Sequence, residues 1–573
     1  MKFPPRRFSL LNKNGTPMMT GKTRPGAGRR ILSWLREHAW KFAAAYLLLL
    51  AVTAFLGHWN ANFLQGRDLW HFTVSRMAVP MVMLGVFASF IRLFPASLML
   101  GASLLFIGTI SAIKREATGE PFQVSDFFLG SQGTHLLGYV SWQNWLIGAT
   151  IAPAAFYGFK SIRFRRWSIP LFAVCVALLS TYRLEPVVKL IHKHSYWIGV
   201  ENLTFSQAES ERMNGLATHL YFSTAGLRLK TFTAREVEAA MNALDADPAP
   251  PPRTSPPPDI FIVLGEAWWR DPSDKNSPFD KLTAAGFAEG TAISPVYGGT
   301  TPNAEFEVLT SIPVKSFQAG IIPYQHYLAY ITDAARTLPR LLTEKGYAAH
   351  AYHNFTPRFW LRDQVYPRFG FSSFDSMDHM KLDIQDNDWP TDAGLYASVL
   401  ERLDKQKPQM HFIVTVETHG PYKHNKAMDV IDGKEHPGIT DYHDRLSRAV
   451  DSFLDFDAKL RARGKPYVLF VFGDHLPGLR LHQWKLGWKA TDDSRLHQAP
   501  FLVTSNTEDA NTLRDRLHDR PFTCIGPVLT HWLRLGFEDR YFAHMAKRCA
   551  ATPPISVRPS EAVIQNQLFS KAP

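Results

Sequence analysis

The chain has only 3 cysteines among 573 residues, and no CxxC pair or Cys/His cluster, so the usual structural zinc site is excluded. Cys175 falls in an apolar run, which leaves Cys524 and Cys549 as one pairing open to an oxidising compartment. Internal repeats are missing too, and solenoids and propellers go with them. Acidic residues are short: 51 against 63 Lys and Arg, a net charge of +12. Long charge-free apolar runs are lacking from the last two thirds and crowd into the first third. The mean hydropathy of -0.14 therefore averages two unlike parts, and a chain of this length exceeds what one hydrophobic core organises.

Those runs are Phe42 to Leu56, Met77 to Ile91, Leu93 to Ile113, Trp142 to Phe159 and Trp167 to Tyr182. Each has or nearly has the length that crosses a hydrocarbon core, roughly 20 helical residues, and none shows a charged face. They predict an N-terminal α-helical transmembrane domain of about five spans. Basic residues set its orientation. The arm carries Arg6, Arg7, Lys13, Lys22, Arg24, Arg29, Arg30, Arg36 and Lys41, and the loop after the fourth run carries Lys160, Arg163, Arg165 and Arg166; both belong on the cytoplasmic side. That topology accounts for much of the positive charge without a nucleic-acid partner. Five crossings place everything after Tyr182, and the loop Lys114 to Ser141, outside the cytoplasm. The first run is expected to stay as an anchor rather than be cleaved.

The expected organisation is a basic cytoplasmic arm (1–41), the transmembrane domain (42–184), a helical connector and proline-rich linker (185–258), a catalytic domain (259–550) and a tail (551–573). The linker is "ADPAPPPRTSPPPD", which favours extended chain and marks a boundary. Beyond it, apolar strands "IFIVL" (Ile260 to Leu264), "HFIVTV" (His411 to Val416) and "YVLFVF" (Tyr467 to Phe472) alternate with helical patterns such as Asp441 to Leu460. Uniformly apolar strands between helices imply a mainly parallel sheet covered on both faces. Each strand runs into polar chemistry: Gly265 and Glu266, then Glu417 and His419, then Gly473, Asp474 and His475. Ligand sites of open α/β sheets collect at such strand ends.

The stretch "YGGTTPNAEFEVLTSIP" (Tyr297 to Pro313) places two threonines between a glycine pair and a helix. Pro302 fits the first helical position, so Thr301 is expected at the N-cap, at the positive end of the helix. Gly298 and Gly299 let backbone approach a phosphoryl group closely, where helix N–H groups point at it.

In this order, behind apolar spans, "GGTTPNAEFEVLTSIP", "HNFTPRFWLRDQVYPRFGF", "ETHGPY" and "FGDH" resemble the lipoteichoic acid synthase family of membrane phosphoglycerol transferases, within the alkaline phosphatase and sulfatase superfamily. The resemblance implies an extracytoplasmic sulfatase-like catalytic domain with Thr301 as nucleophile. Glu266, Asp474 and His475, with the Thr301 oxygen, would hold a divalent metal; His353, Trp360 and Arg362 would contact phosphate and headgroup, and His419 would stand on the substrate side. Manganese is the expected ion, with zinc or magnesium as alternatives. Two departures stand out. Pro302 follows the nucleophile where the family has a small residue, and Phe355 stands near the place of an acidic residue. A formylglycine sulfatase would need a C/S-x-P-x-R motif, which "TTPNAE" does not supply.

The implied function is transfer of glycerophosphate from a phospholipid, phosphatidylglycerol, through a phosphothreonine intermediate to a glycan or polymer acceptor outside the cytoplasmic membrane of a bacterium. Phosphoethanolamine transfer is the alternative. A non-catalytic, metal-dependent sensing or binding protein is a third reading, which the intact set Glu266, Thr301, Asp474 and His475 disfavours.

Overall fold

The computed structural model describes residues 27–59, 69–118 and 121–128 and, with short breaks, 149–569. Its N-terminal region contains α1 (Ala27–Trp59), α2 (Leu69–Ala88), α3 (Leu93–Thr118), α4 (Ile151–Lys160) and α5 (Ser168–Leu179). Each overlaps one of the five predicted runs, although arm residues 1–26 and the start of the fourth run lie outside the described residues. Two segments are long and apolar enough to cross a membrane, Ala39–Leu56 and Leu93–Arg115; Val74–Ala88 and Ser168–Leu179 are shorter. Phe156, Phe159, Ile169 and Val174 are each more than half exposed, so α4 and α5 carry an apolar outer face that none of the described residues covers.

The expected connector contains α6 (Gln207–Asn214), α7 (Leu216–Ser223) and α8 (Ala234–Asn242). Glu211 of α6 accepts from the Ser111 hydroxyl and from Arg115 of α3, both at 2.8 Å. A capping box of Thr233 and Glu236 starts α8, the arrangement that satisfies donors at a helix start.

After the linker, the chain builds an eight-stranded sheet from β1 (Asp259–Gly265), β2 (Ala288–Ile293), β3 (Ala348–His353), β4 (Ser373–Ser376), β5 (Gln409–Val414), β8 (Tyr467–Gly473), β9 (Gln498–Ser505) and β10 (Arg520–Pro521); β6 (Asp429–Ile431) and β7 (Lys434–His436) form a separate hairpin. Strand order is β10-β2-β9-β8-β1-β5-β3-β4. The pairs from β8 through β4 are parallel, and β9 runs against both its neighbours. The three strands predicted from apolar runs are β1, β5 and β8. Three helices matter for the site: α9 (Thr301–Thr310), α10 (Arg362–Phe369) and α11 (Ile439–Ala462).

Both faces of the sheet are buried, which explains why the strands read as uninterrupted apolar runs. Ile260, Ile262 and Leu264 join one core with Phe306 and Val308 of α9. Phe261 and Val263 point the other way, into a second core with Phe453 and Phe456 of α11. Each such side chain contributes about 1.5–3 kcal/mol by leaving water.

The expected tail behaves differently from a tail. Helix α12 (Glu561–Leu568) sends Val563, Ile564 and Leu568 into the first core. Gln565 also brackets the backbone of Phe232 in the connector, accepting at 2.8 Å and donating at 3.1 Å. Cys524 and Cys549 form a disulfide with Cα atoms 5.7 Å apart, buried in the same core. It closes a loop of sequence separation 25. Loop-closure entropy for that length predicts that Cys549→Ser lowers the domain's unfolding free energy by about 3 kcal/mol. Denaturant titration measures the loss, and non-reducing peptide mapping should recover the cross-linked pair.

Candidate active site

The strand order decides which residues meet. β8, β1, β5 and β3 are adjacent and parallel, so their carboxyl ends lie along one edge of the sheet. In the β1–β8 ladder Gly265 pairs with Gly473, and the next residues, Glu266 and Asp474, leave the sheet side by side. Glycine is required at both places. A Cβ on Gly473 would lie 2.1 Å from the Trp268 carbonyl oxygen, and one on Gly265 would lie 2.6 Å from the Trp268 ring. The chain thus turns back over its own strand end, and the Ala267 N–H donates to Asp474 Oδ1 at 2.8 Å. Thr415 accepts from the Glu266 N–H at 3.0 Å, and the Thr418 hydroxyl donates to the Glu266 carbonyl. These two contacts tie the end of β5 to the same point.

The ligand atoms of Glu266, Asp474 and His475 lie within 4.8 Å of one another, and all three residues are buried. His475 Nε2 is 3.5 Å from Glu266 Oε1 and 3.2 Å from Asp474 Oδ2. Its Nδ1–H donates to the Leu476 carbonyl at 3.0 Å, which turns Nε2 toward the carboxylates. Among the described residues neither Nε2 nor Asp474 Oδ2 has a hydrogen-bond partner. Buried orphans of that kind are costly unless something charged fills the gap. Burial first, and then the Asp474 charge, push the Glu266 carboxyl well above its usual range, crowding that a cation relieves. Two carboxylates and one imidazole fit a divalent ion.

Thr301 is buried and its Oγ1 donates to Glu266 Oε2 at 3.3 Å. The geometry therefore brings Glu266, Thr301, Asp474 and His475 together. One local expectation is corrected. Thr300, not Thr301, is the N-cap; Thr301 is the first residue of α9 and Pro302 the second. The left-handed run of the loop continues one residue further than expected, with φ of 71° at Gly298, 155° at Gly299 and 67° at Thr300. A β-branched residue held there costs about 1–2 kcal/mol. Pro302 has no N–H, and the Asn303 N–H donates to the Thr300 carbonyl at 2.9 Å. The helix end therefore offers fewer open donors than a standard one.

The residues expected on the substrate side follow, His353 at the end of β3 and the others beyond β3 and β5. His353 ends β3 opposite Val414; its Nδ1–H donates to the Val414 carbonyl at 3.0 Å, and Nε2 accepts from Arg362 Nη1 at 3.2 Å. Burial, then the Arg362 charge, hold its pKa well below the usual value. Arg362 was expected to grip phosphate with its planar fork, but Nε and Nη2 both donate to Glu305 Oε1. Trp360 is half-buried in a left-handed conformation, its ring 5.2 Å from that of Phe359. His419 packs 4.4 Å from Trp389, and its charge reaches His353. Phe355 lies 5.1 Å from Trp389 and 6.2 Å from His353, so an aromatic edge stands near the place of the family's acidic residue. The sequence reading did not single out Glu305, Thr415 or Thr418. For Glu305 a signal existed: it lies four residues after Thr301, on the same face of one helix.

Comparison with known proteins agrees with this architecture. Residues 258–522 match the sulfatase family. A putative cyclic beta-1,2-glucan modification protein of Rhizobium meliloti is 26% identical over 487 residues, covering 77% of this chain and 76% of that one. Lipoteichoic acid synthase of Staphylococcus saprophyticus is 28% identical over 186 residues, 31% of this chain and 28% of that protein. Among solved structures, the integral membrane lipooligosaccharide phosphoethanolamine transferase A of Neisseria meningitidis superposes with a TM-score of 0.52 at 14% identity, covering 86% of this chain and 95% of that one. The strand order and the cluster of potential metal ligands thus lie within the span, residues 258–522, that matches the sulfatase family.

Proposed function

We propose that the protein is a membrane phosphoglycerol transferase that moves glycerophosphate from phosphatidylglycerol to a glycan outside the cytoplasmic membrane. One observation carries the reading: the buried Thr301 hydroxyl, hydrogen-bonded to Glu266 beside the unpartnered Asp474 Oδ2 and His475 Nε2. A phosphoryl-group transferase is what such a constellation suits. Glu266, Asp474, His475 and Thr301 would hold a divalent ion, manganese by preference, whose charge would acidify the threonine hydroxyl and offset the phosphoryl oxygens. Thr301 Oγ1 attacks phosphorus, the bond to diacylglycerol breaks, and a glycerophosphothreonine remains. The acceptor hydroxyl then displaces Thr301. Because His353 is held neutral with Nε2 engaged by Arg362, the proton traffic is assigned to His419.

The acceptor reading draws support from the name of the Rhizobium relative, a glucan modification protein. Phosphoethanolamine remains the alternative headgroup, as in the name of the Neisseria transferase. Five spans with the domain outside the bacterial cytoplasmic membrane are supported by the apolar helices, the uncovered faces of α4 and α5 and the buried disulfide, which persists in oxidising compartments.

Three outcomes are expected. Thr301→Ala abolishes diacylglycerol release from phosphatidylglycerol while Thr300→Ala keeps most of it, and mass spectrometry of the wild-type Thr301 peptide after incubation with mixed phospholipids finds the phosphoglycerol adduct; a phosphoethanolamine adduct would reassign the headgroup. Asp474→Asn, with an amide for a charged ligand, weakens metal binding by more than about 100-fold, read as metal content by elemental analysis. An export-dependent reporter fused after Pro258 is active and a cytoplasm-only reporter at the same site is silent.

A further inference from the structure

Glu305 is fully buried on α9, one helical turn behind Thr301. Its Oε1 accepts from both Nε and Nη2 of Arg362, and Oε2 accepts from the Tyr366 hydroxyl at 2.7 Å. Both oxygens are committed, so the carboxylate cannot turn. Arg362 is 1% exposed, and its Nη1 lies 3.2 Å from His353 Nε2. The guanidinium edge built for two-pronged anion binding is thus occupied by the protein itself, and Nη1, the end left over, reaches the strand-end His353 and, at 3.5 Å, the Phe359 carbonyl.

We infer that Glu305 is a positioning residue for the phosphoryl donor: it holds Arg362 so that its Nη1 end, and not its two-pronged side edge, meets the phosphoryl group. The physical reason lies in rigidity. An arginine side chain carries about 2 kcal/mol of rotamer entropy, and a buried cation without a partner is costly. Glu305 addresses both problems from the helix that carries Thr301. The residue that anchors the cation thereby sits one helical turn from Thr301, the sort of preorganisation that lowers the cost of binding the donor. The inference rests on the transfer reading above.

The test uses full-length, detergent-solubilised protein loaded with manganese, with titration of glycerol phosphate, turnover of phosphatidylglycerol and metal content measured in parallel. Glu305→Asp keeps the charge but draws Arg362 back by about one bond, so folding and metal content should hold. It is expected to raise both the glycerol phosphate Kd and the lipid KM about tenfold, with kcat within about threefold of wild type. Glu305→Gln is expected to do the same, but to add nothing to Kd when placed in an Arg362→Met background, because it acts only through that arginine. Wild-type Kd and KM in Glu305→Asp would overturn the inference. So would loss of metal in that variant, or multiplicative effects of Glu305→Gln and Arg362→Met. A wild-type protein that neither binds glycerol phosphate nor cleaves the lipid would instead overturn the transfer reading, and this inference with it.

Discussion

The pairing of β1 with β8, glycine against glycine at the strand ends, is the constraint on which the rest of the site depends. Gly265 beside Gly473 lets Trp268 fold back over the sheet, and that reversal places the Ala267 N–H on Asp474. Glu266 and Asp474 are then neighbours because their strands are neighbours. A slip of one residue in this register would turn every strand side chain to the opposite core, so the packing of two apolar faces also enforces the alignment of two carboxylates. Stability and chemistry are specified by the same ladder.

That arrangement brings like charges together in a dry place. Glu266 and Asp474 are both buried, and Nε2 of the imidazole beside them faces both carboxylates. Without a cation, the cluster lacks a counter-charge at its centre. Further out the chain supplies its own compensation: Arg362 against Glu305, with Tyr366 on the remaining oxygen. The site is thus layered, with an acidic centre, a cation one step away, and an anion behind that cation. Each layer comes from a different strand or helix and is held by core packing.

Much of this was legible in the sequence because parallel strands buried on both faces have no polar residue to hide. Ile260 to Leu264 and Tyr467 to Phe472 announce themselves, and the first polar residues after them are the site. The resemblance of "GGTTPNAEFEVLTSIP" and "FGDH" to a known family then named roles that spacing alone does not assign. What sequence could not supply were the alternatives within a side chain's reach. Arg362 has a fork, and nothing in "FWLRD" says whether a phosphate or a carboxylate fills it. Thr300 and Thr301 are adjacent threonines, and the left-handed run that makes the former the cap depends on φ values set by Gly298 and Gly299. Helix α12 falls in the segment expected to be a tail, because nothing in its short sequence shows that Val563, Ile564 and Leu568 find a core.

That last helix has a temporal meaning. Residues 561–568 complete a core whose earliest strand begins at Asp259, so the first apolar layer cannot close until about three hundred residues of chain have emerged together. The disulfide partner at Cys549 arrives almost as late. A domain assembled in this way gains little from folding as it is made. Its first core is complete only once the whole segment is present.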